Sequence, residues 1–289
     1  MVDNTENKTQ QKRILERPFY SGLVVPTAII LVGALIVFGV MKLLSNERSH
    51  RDLINELHSK TFGNRWVAAY ELSKVLSTTK FEPSERAWLV KELDTIYRET
   101  IDARTRNFII LALKSLNTDE ALKTFEAALS DQDGKVKFNA VVAIGNLPKD
   151  TVFDFEKLRP LANAKDQGVK QAVLLAVAQH KVLSMKELLS RALSDSNRSL
   201  RYAAALGLIN FQDKAAMGVL KEILNLPTDV KADNAFSSQQ ILNLKLNILI
   251  SIAREKWFAV SQELVAPATN DANLKVSTKA REVLNILKN

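Results

Sequence analysis

An amphipathic pattern recurs along the chain from about residue 49 to its end. The clearest copy is DGKVKFNAVVAIGNL, from Asp133 to Leu147, and its apolar residues fall at i, i+4, i+7, i+8 and i+11. An α-helix has about 3.6 residues per turn, so this spacing places them on one helical face. The face consists of Val136, Ala140, Ala143, Ile144 and Leu147. The pattern therefore predicts a helix with one buried stripe.

The same register fits seven segments of the chain. In six of them a basic residue follows the first core position, and we call these six residues the basic ladder: Arg65, Arg106, Lys137, Lys170, Arg201 and Lys245. In the last segment Ser277 takes that place. An Asp or Asn stands three residues before the first core position in five segments, at Asp102, Asp133, Asp166, Asn197 and Asn273. Asp and Asn are strong N-cap residues, so we expect these five to start helices.

A second amphipathic segment precedes each of these helices, for example ELLSRALSD before Asn197. Each unit is therefore predicted to be a helical hairpin. A hairpin of this size cannot bury its apolar face alone, so neighbouring hairpins must stack. The predicted fold class is all-α: a solenoid of about seven hairpins.

The pattern D-x-x-V-[KR]-x-x-A-x-x-A-[LIV]-G in these segments resembles HEAT repeats, especially the phycobilisome-lyase-like variety. The resemblance covers about residues 49 to 289, and Pro160 and Pro267 resemble the proline that the family carries in its first helix. The resemblance implies a HEAT-like α-solenoid. With it we expect the chain to be a bacterial member of the family that is anchored by a single membrane pass. The resemblance does not specify an activity, because one fold hosts many functions.

The N-terminal part of the chain has a different pattern. No charged residue lies between Pro18 and Met41, and about 20 apolar residues suffice to span a bilayer. We predict a disordered polar tail at 1–18, a transmembrane helix at 19–44 in contact with the lipid bilayer, and the HEAT-like solenoid at 45–289. A cleavable signal peptide is disfavoured because the apolar run is long and no A-x-A pattern follows it.

The predicted localisation is the inner membrane of a bacterium. Four basic residues precede the apolar run and three follow it closely, which favours a cytoplasmic N-terminus and a periplasmic solenoid. If Lys60 and Arg65 are also counted among the basic residues that follow the run, the bias is reversed.

Composition narrows the function. The chain has no cysteine, which excludes disulfides and thiolate chemistry, and its net charge of +8 is spread among interleaved acids and bases. Nucleic-acid binding is disfavoured because it usually requires a clustered basic stripe. The three histidines have no metal-ligand spacing, and no G-x-S-x-G motif, P-loop or paired carboxylate is visible. We expect no enzymatic activity, no cofactor and no metal.

The basic ladder and Phe236 are the candidate partner-binding residues. The ladder could bind an acidic partner, or its members could pair inside the fold, either with neighbouring repeats or locally, as Asp133 with Lys137 and Asp166 with Lys170. Phe236 lies in the polar stretch 226–239, where it is either an exposed anchor for a partner or a staple for the next helix.

The expected function is that of a membrane-anchored scaffold for protein interactions. Its partner is expected to be a membrane-associated protein, and one version is an accessory subunit of a membrane complex such as a transporter. The alternative is a HEAT-like lyase-type enzyme or a chaperone that acts on a partner protein. The oligomeric state is left open.

Overall fold

A computed structural model describes residues 48–59, 65–228 and 236–288, and within these ranges the chain is all-α. The α-helices are α1 His50–His58, α2 Arg65–Thr78, α3 Pro83–Glu99, α4 Ala103–Leu116, α5 Leu122–Ala128, α6 Gly134–Gly145, α7 Gln167–Gln179, α8 Lys186–Ala192, α9 Arg198–Ile209, α10 Met217–Leu224, α11 Ser238–Arg254, α12 Ala266–Ala268 and α13 Leu274–Ile286. A 3₁₀ helix, Phe155–Asn163, and a π-helical turn, Ser261–Val265, complete the set of main elements.

The elements alternate between two layers. We call α2, α4, α6, α7, α9, α11 and α13 the B helices, and the segment before each of them its A element. Each B helix packs against the next B helix along the chain, and from α3 onward the A elements pack against the B helices. The apolar residues at the layer boundary are almost completely buried, for example Leu113, Val173 and Leu208 at 0% exposure. The prediction of a stacked all-α repeat fold is confirmed.

The N-caps of the B helices were predicted correctly. The side chain of Asp133 accepts hydrogen bonds from the backbone N–H groups of Lys135 and Val136. Asp102, Asp166, Asn197 and Asn273 likewise accept backbone N–H groups of the first turns of α4, α7, α9 and α13. Each cap satisfies amides that have no carbonyl partner inside the helix, an effect of about 1 kcal/mol.

The A elements are less regular than the B helices. Pro160 lies inside the 3₁₀ helix Phe155–Asn163. Proline has no N–H to donate and its ring clashes with the preceding turn, so a regular α-helix is disfavoured there. The B helices therefore form the continuous layer of the structure.

The predicted membrane localisation is wrong for the part of the chain that the structure describes. No helix within those ranges is long and apolar enough to cross a bilayer. The longest of them, α3 and α11, have 17 residues each, fewer than the roughly 20 apolar residues that a span requires, and both carry charges. The predicted tail at 1–18 and span at 19–44 lie outside the described residues.

Glycine permits a close approach between two B helices, α7 and α9. A methyl group on Gly207 of α9 would lie 2.9 Å from the Cβ of Ala178 and 3.0 Å from Cδ2 of Leu189. A methyl group on Gly218 of α10 would meet no heavy atom within 4 Å. The two glycines therefore differ in the packing that surrounds them, although both are helical.

We predict opposite effects of alanine at these two positions. Gly207→Ala should lower the free energy of unfolding by about 1–3 kcal/mol, because the added methyl overpacks the contact between α7 and α9. Gly218→Ala should raise it by up to about 1 kcal/mol, because alanine favours the helix and has open space. Urea unfolding followed by circular dichroism measures both. Equal effects of the two substitutions would contradict this packing.

Candidate functional site

The basic ladder lies along the edge of the solenoid where each A element turns into its B helix. Arg106 shows the geometry most fully. Its Nε donates to Oδ2 of Asp131 at 2.7 Å and its Nη2 donates to Oδ1 at 2.9 Å, while its Nη1 donates to the carbonyls of Thr100 and Ile101. The hydroxyl of Tyr97 donates to the same carboxylate at 2.9 Å. Arg106 thus joins α4 to the turn that precedes the next B helix.

Lys245 makes the equivalent contact near the C-terminal end. Its Nζ lies 2.6 Å from Oδ2 of Asp271, and the two side chains are only 4% and 8% exposed. Asp271 stands two residues before the N-cap Asn273, as Asp131 stands two residues before the N-cap Asp133. The ladder residue therefore reaches the turn of the following repeat.

These aspartates also shape the turn itself. The carboxylates of Asp131, Asp195 and Asp271 each accept the backbone N–H of the residue two places later, at 2.9, 2.8 and 2.8 Å. That residue is the N-cap of the next B helix in each case. One carboxylate thus orders the turn, and in two repeats it also binds a cation from the preceding helix.

The other ladder residues differ in their partners. Arg201 lies 3.5 Å from Glu222 and donates to the carbonyls of Asp195 and Ser196. Arg65 has a buried Nε with no hydrogen-bond acceptor among the described residues. Lys137 and Lys170 form no ion pair in the described ranges, and Ala164 stands where a carboxylate would face Lys137.

The local pairing of Asp133 with Lys137 and of Asp166 with Lys170 was a wrong prediction. The carboxylates of both aspartates accept backbone N–H groups as N-caps, which orients them toward the helix start. Pairing with a neighbouring repeat is confirmed for Arg106 and Lys245. The structure places the ladder residues along one edge and does not gather them into one site. Their contact with a partner stays a prediction.

Phe236 packs against α9. Its ring stacks on Tyr202 with centroids 5.3 Å apart and planes 18° apart, and the guanidinium carbon of Arg198 lies 5.5 Å from both rings. The Tyr202 hydroxyl donates to Glu222 at 2.7 Å, and burial together with this carboxylate raises the pKa of the tyrosine. The contact supports the staple role, because most of the ring is covered. A role as a partner anchor stays a prediction.

A different surface, which the sequence analysis missed, lies on the side of the B layer that faces away from the A elements. We call it the open face. Five residues after each ladder residue stands an apolar side chain, and together these form the apolar row: Tyr70, Leu111, Val142, Leu175, Leu206 and Ile250. All six are partly or largely exposed, with Leu175 at 49% and Ile250 at 47%. The row crosses six successive B helices.

Side chains beside the apolar row complete the open face. They stand two residues before, one after or nine after a ladder residue. Tyr202, which Phe236 covers, is buried and does not belong to the face. The side chains of the face include Trp66, Lys74, Arg104, Asn107, Ser115, Lys135, Phe138, Asn146, Gln171, Gln179, Asn243, Leu246 and Arg254. The ring of Tyr70 meets the ring of Phe108 edge-on at 5.2 Å. Asn139 donates to Asn107 between α6 and α4 at 2.6 Å. No Asp or Glu occupies any of these positions in α2, α4, α6, α7, α9 or α11.

The ionisation of Asp131 follows from its contacts. Burial raises the pKa of a carboxyl group, but the hydrogen bonds from Arg106, from the backbone of Asp133 and from Tyr97 outweigh it, so that the pKa of Asp131 lies below its ordinary value. The buried Tyr97 hydroxyl beside this carboxylate has a raised pKa.

In the described ranges no group of three or more acidic or histidine side chains is arranged to hold a metal ion.

The fold is similar to that of several solved structures. The Escherichia coli protein YibA matches with a TM-score of 0.58 and 15% identity, over 85% of this chain and 84% of that one. The CpcE–CpcF complex of phycocyanin lyase from Nostoc sp. PCC7120 matches with a TM-score of 0.53 and 17% identity, over 83% and 94%. No family model and no curated protein matches the sequence. These likenesses show a HEAT- and armadillo-like repeat fold.

The Lys245–Asp271 pair gives a stability prediction. Lys245→Met should lower the free energy of unfolding by about 3 kcal/mol, because it leaves the buried Asp271 carboxylate without its cation. Lys275→Met, at an exposed lysine of α13, is the matched control and should change stability by less than about 0.5 kcal/mol. Urea unfolding measures both. Adding Asp271→Asn to Lys245→Met should recover part of the loss, and no recovery would argue against an unpaired charge as its cause.

The lowered pKa of Asp131 gives a pH prediction. Its carboxylate contributes stability in full above the ordinary carboxyl pKa, near 4, and loses it as the pH falls through the lower folded-state value. Asp131→Asn should therefore cost about 1–3 kcal/mol at pH 7 and progressively less below pH 4. Thermal unfolding between pH 2 and 8 measures the difference, with Asp150→Asn in an exposed turn as control. A cost independent of pH would contradict the assignment.

Proposed function

We propose that this protein is an interaction scaffold that binds another protein through the open face of its B layer. The apolar row carries the proposal. Single exposed apolar side chains are common on protein surfaces, but contiguous apolar patches usually mark binding sites. Here the apolar residue recurs at one position of six successive repeats, which produces a strip instead of scattered contacts.

The architecture supports this assignment. In repeat proteins each unit contacts only its neighbours, and the stack presents an extended surface that long partners can follow. The A elements cover one side of the B helices, so the other side is left for a partner. Arg106 and Lys245 of the ladder are proposed to hold neighbouring repeats in register, because each pairs with a carboxylate inside the fold and does not offer its charge to a partner.

We propose binding without catalysis. The lyase alternative rests on a likeness of fold to the CpcE–CpcF complex at 17% identity, and a shared fold does not transfer an activity. No contact in the described residues favours it over binding. The scaffold proposal concerns the solenoid and requires no membrane segment.

Site-specific photo-crosslinking tests the proposal. A benzophenone amino acid at Leu175, in the middle of the apolar row, should give discrete cross-linked products with another protein in the native cell. The same group at Leu183, which is 74% exposed in a turn outside the open face, is the matched control and should give few. Products of equal number and yield at both positions would sink the proposal, because the open face would then have no special role.

A further inference from the structure

We infer that the partner segment is acidic as well as apolar: an amphipathic stretch that lays apolar side chains on the apolar row and directs Asp and Glu toward the basic residues beside it. This inference rests on the proposed function and specifies the chemistry of the partner. Three observations carry it: the absence of Asp and Glu from the positions of the open face, the cations beside the row, and their contact with aromatic rings.

The charged side chains of the open face have one sign. The open face of α2 to α11 lacks Asp and Glu, although the chain has 32 acidic residues. Its charged residues are Lys74, Arg104, Lys135 and Arg254, all of them basic, and Arg254 also contacts Glu255 at the end of α11 at 3.0 Å. The A elements differ, because they carry both signs: their glutamates pair with bases, as Glu126 does with Lys157. An acidic segment is therefore attracted to the open face of the B layer.

Two of these cations lie against aromatic rings at the N-terminal end of the face. The guanidinium carbon of Arg104 is 5.2 Å from the centre of the Trp66 ring, and Nζ of Lys74 is 4.2 Å from the centre of the Tyr70 ring. The Arg104 side chain is 68% exposed, although its Nε also contacts the N-cap Asp102 at 3.3 Å. Contact with a ring limits where each cation can lie, because the face of the ring attracts it.

This arrangement places apolar and cationic groups within one side-chain length of each other. A partner residue on Tyr70 or Trp66 gains from apolar burial, and a carboxylate one turn away on the partner reaches Lys74 or Arg104. A basic segment would gain the same apolar contacts but would meet only like charge on this face. Charge thus selects among amphipathic partners, whereas the apolar row supplies much of the contact area.

Two synthetic peptides test the inference with the purified full-length chain. Both have 18 residues with leucine at helical spacing of three and four, and the remaining positions are glutamate and glutamine in one and lysine and glutamine in the other. Fluorescence anisotropy should show at least tenfold tighter binding of the glutamate peptide, and this binding should weaken as salt rises from 50 to 500 mM because the ion pairs are exposed. Equal binding of the two peptides, or no binding of either, would overturn the inference.

Paired variants locate the binding. Leu175→Glu and Lys135→Glu, both on the open face, should each weaken the glutamate peptide at least fivefold. Leu183→Glu and Lys214→Glu place the same changes at exposed positions outside it and should leave the affinity unchanged. Circular dichroism of each variant checks that it remains folded. Binding that survives Leu175→Glu in a folded protein would place the peptide elsewhere and overturn the inference.

The outcomes separate the inference from the proposed function. If Leu175 cross-links to a partner but the glutamate peptide does not bind, the scaffold stands and the acidic chemistry fails. If neither result is obtained, both fail. A second copy of this chain is the other candidate occupant, and light scattering that shows a dimer lost on Leu175→Glu would assign the face to self-association and overturn the inference.

Discussion

The structure depends on one constraint: a single helical hairpin of this size has too little interior to bury its own apolar stripe. Each B helix from α4 to α11 therefore lies between two others, and its buried residues contact the neighbouring repeats as well as its own hairpin. The close approach of Gly207 to Ala178 is one result, since helices that share a core pack as tightly as their smallest residues allow. A helix face that has no neighbour can then stay exposed without loss of the fold.

The ladder shows how polar contacts set the register of this stack. Apolar burial is non-directional, so it does not fix how far one helix slides along the next. The Arg106–Asp131 and Lys245–Asp271 pairs join a defined turn of one repeat to a defined turn of the next. A buried ion pair contributes little net stability, because desolvation offsets the attraction. We therefore interpret these pairs mainly as positional contacts.

Sequence reasoning found the parts of the structure that depend on local spacing. The B helices and their N-caps, such as Asp133, follow from periodicity and cap chemistry within about a dozen residues. The partners of Arg106 and Lys245 lie 25 and 26 residues away, so their pairing depends on the stacking of repeats, although the D-x-[DN] turns were a visible signal. The stack of Phe236 on Tyr202 joins segments 34 residues apart and left no local signal. The spacing of the apolar row can be read in the sequence, but the exposure of its residues cannot. An apolar residue on an amphipathic helix is ordinarily assigned to the core.

Two neighbouring ladder residues in the middle of the series, Lys137 and Lys170, have a mechanical consequence. Lys137 and Lys170 face the joints on either side of α7, and neither joint has a ladder ion pair in the described ranges. At the opposite edge both joints have a polar link to a carbonyl, from His180 to Gly145 and from Asn210 to Ala178. A joint held by polar contacts at one edge can change its angle about that edge at lower cost than a joint held at both. We therefore expect α7, which carries Leu175, to have an adjustable joint on each side.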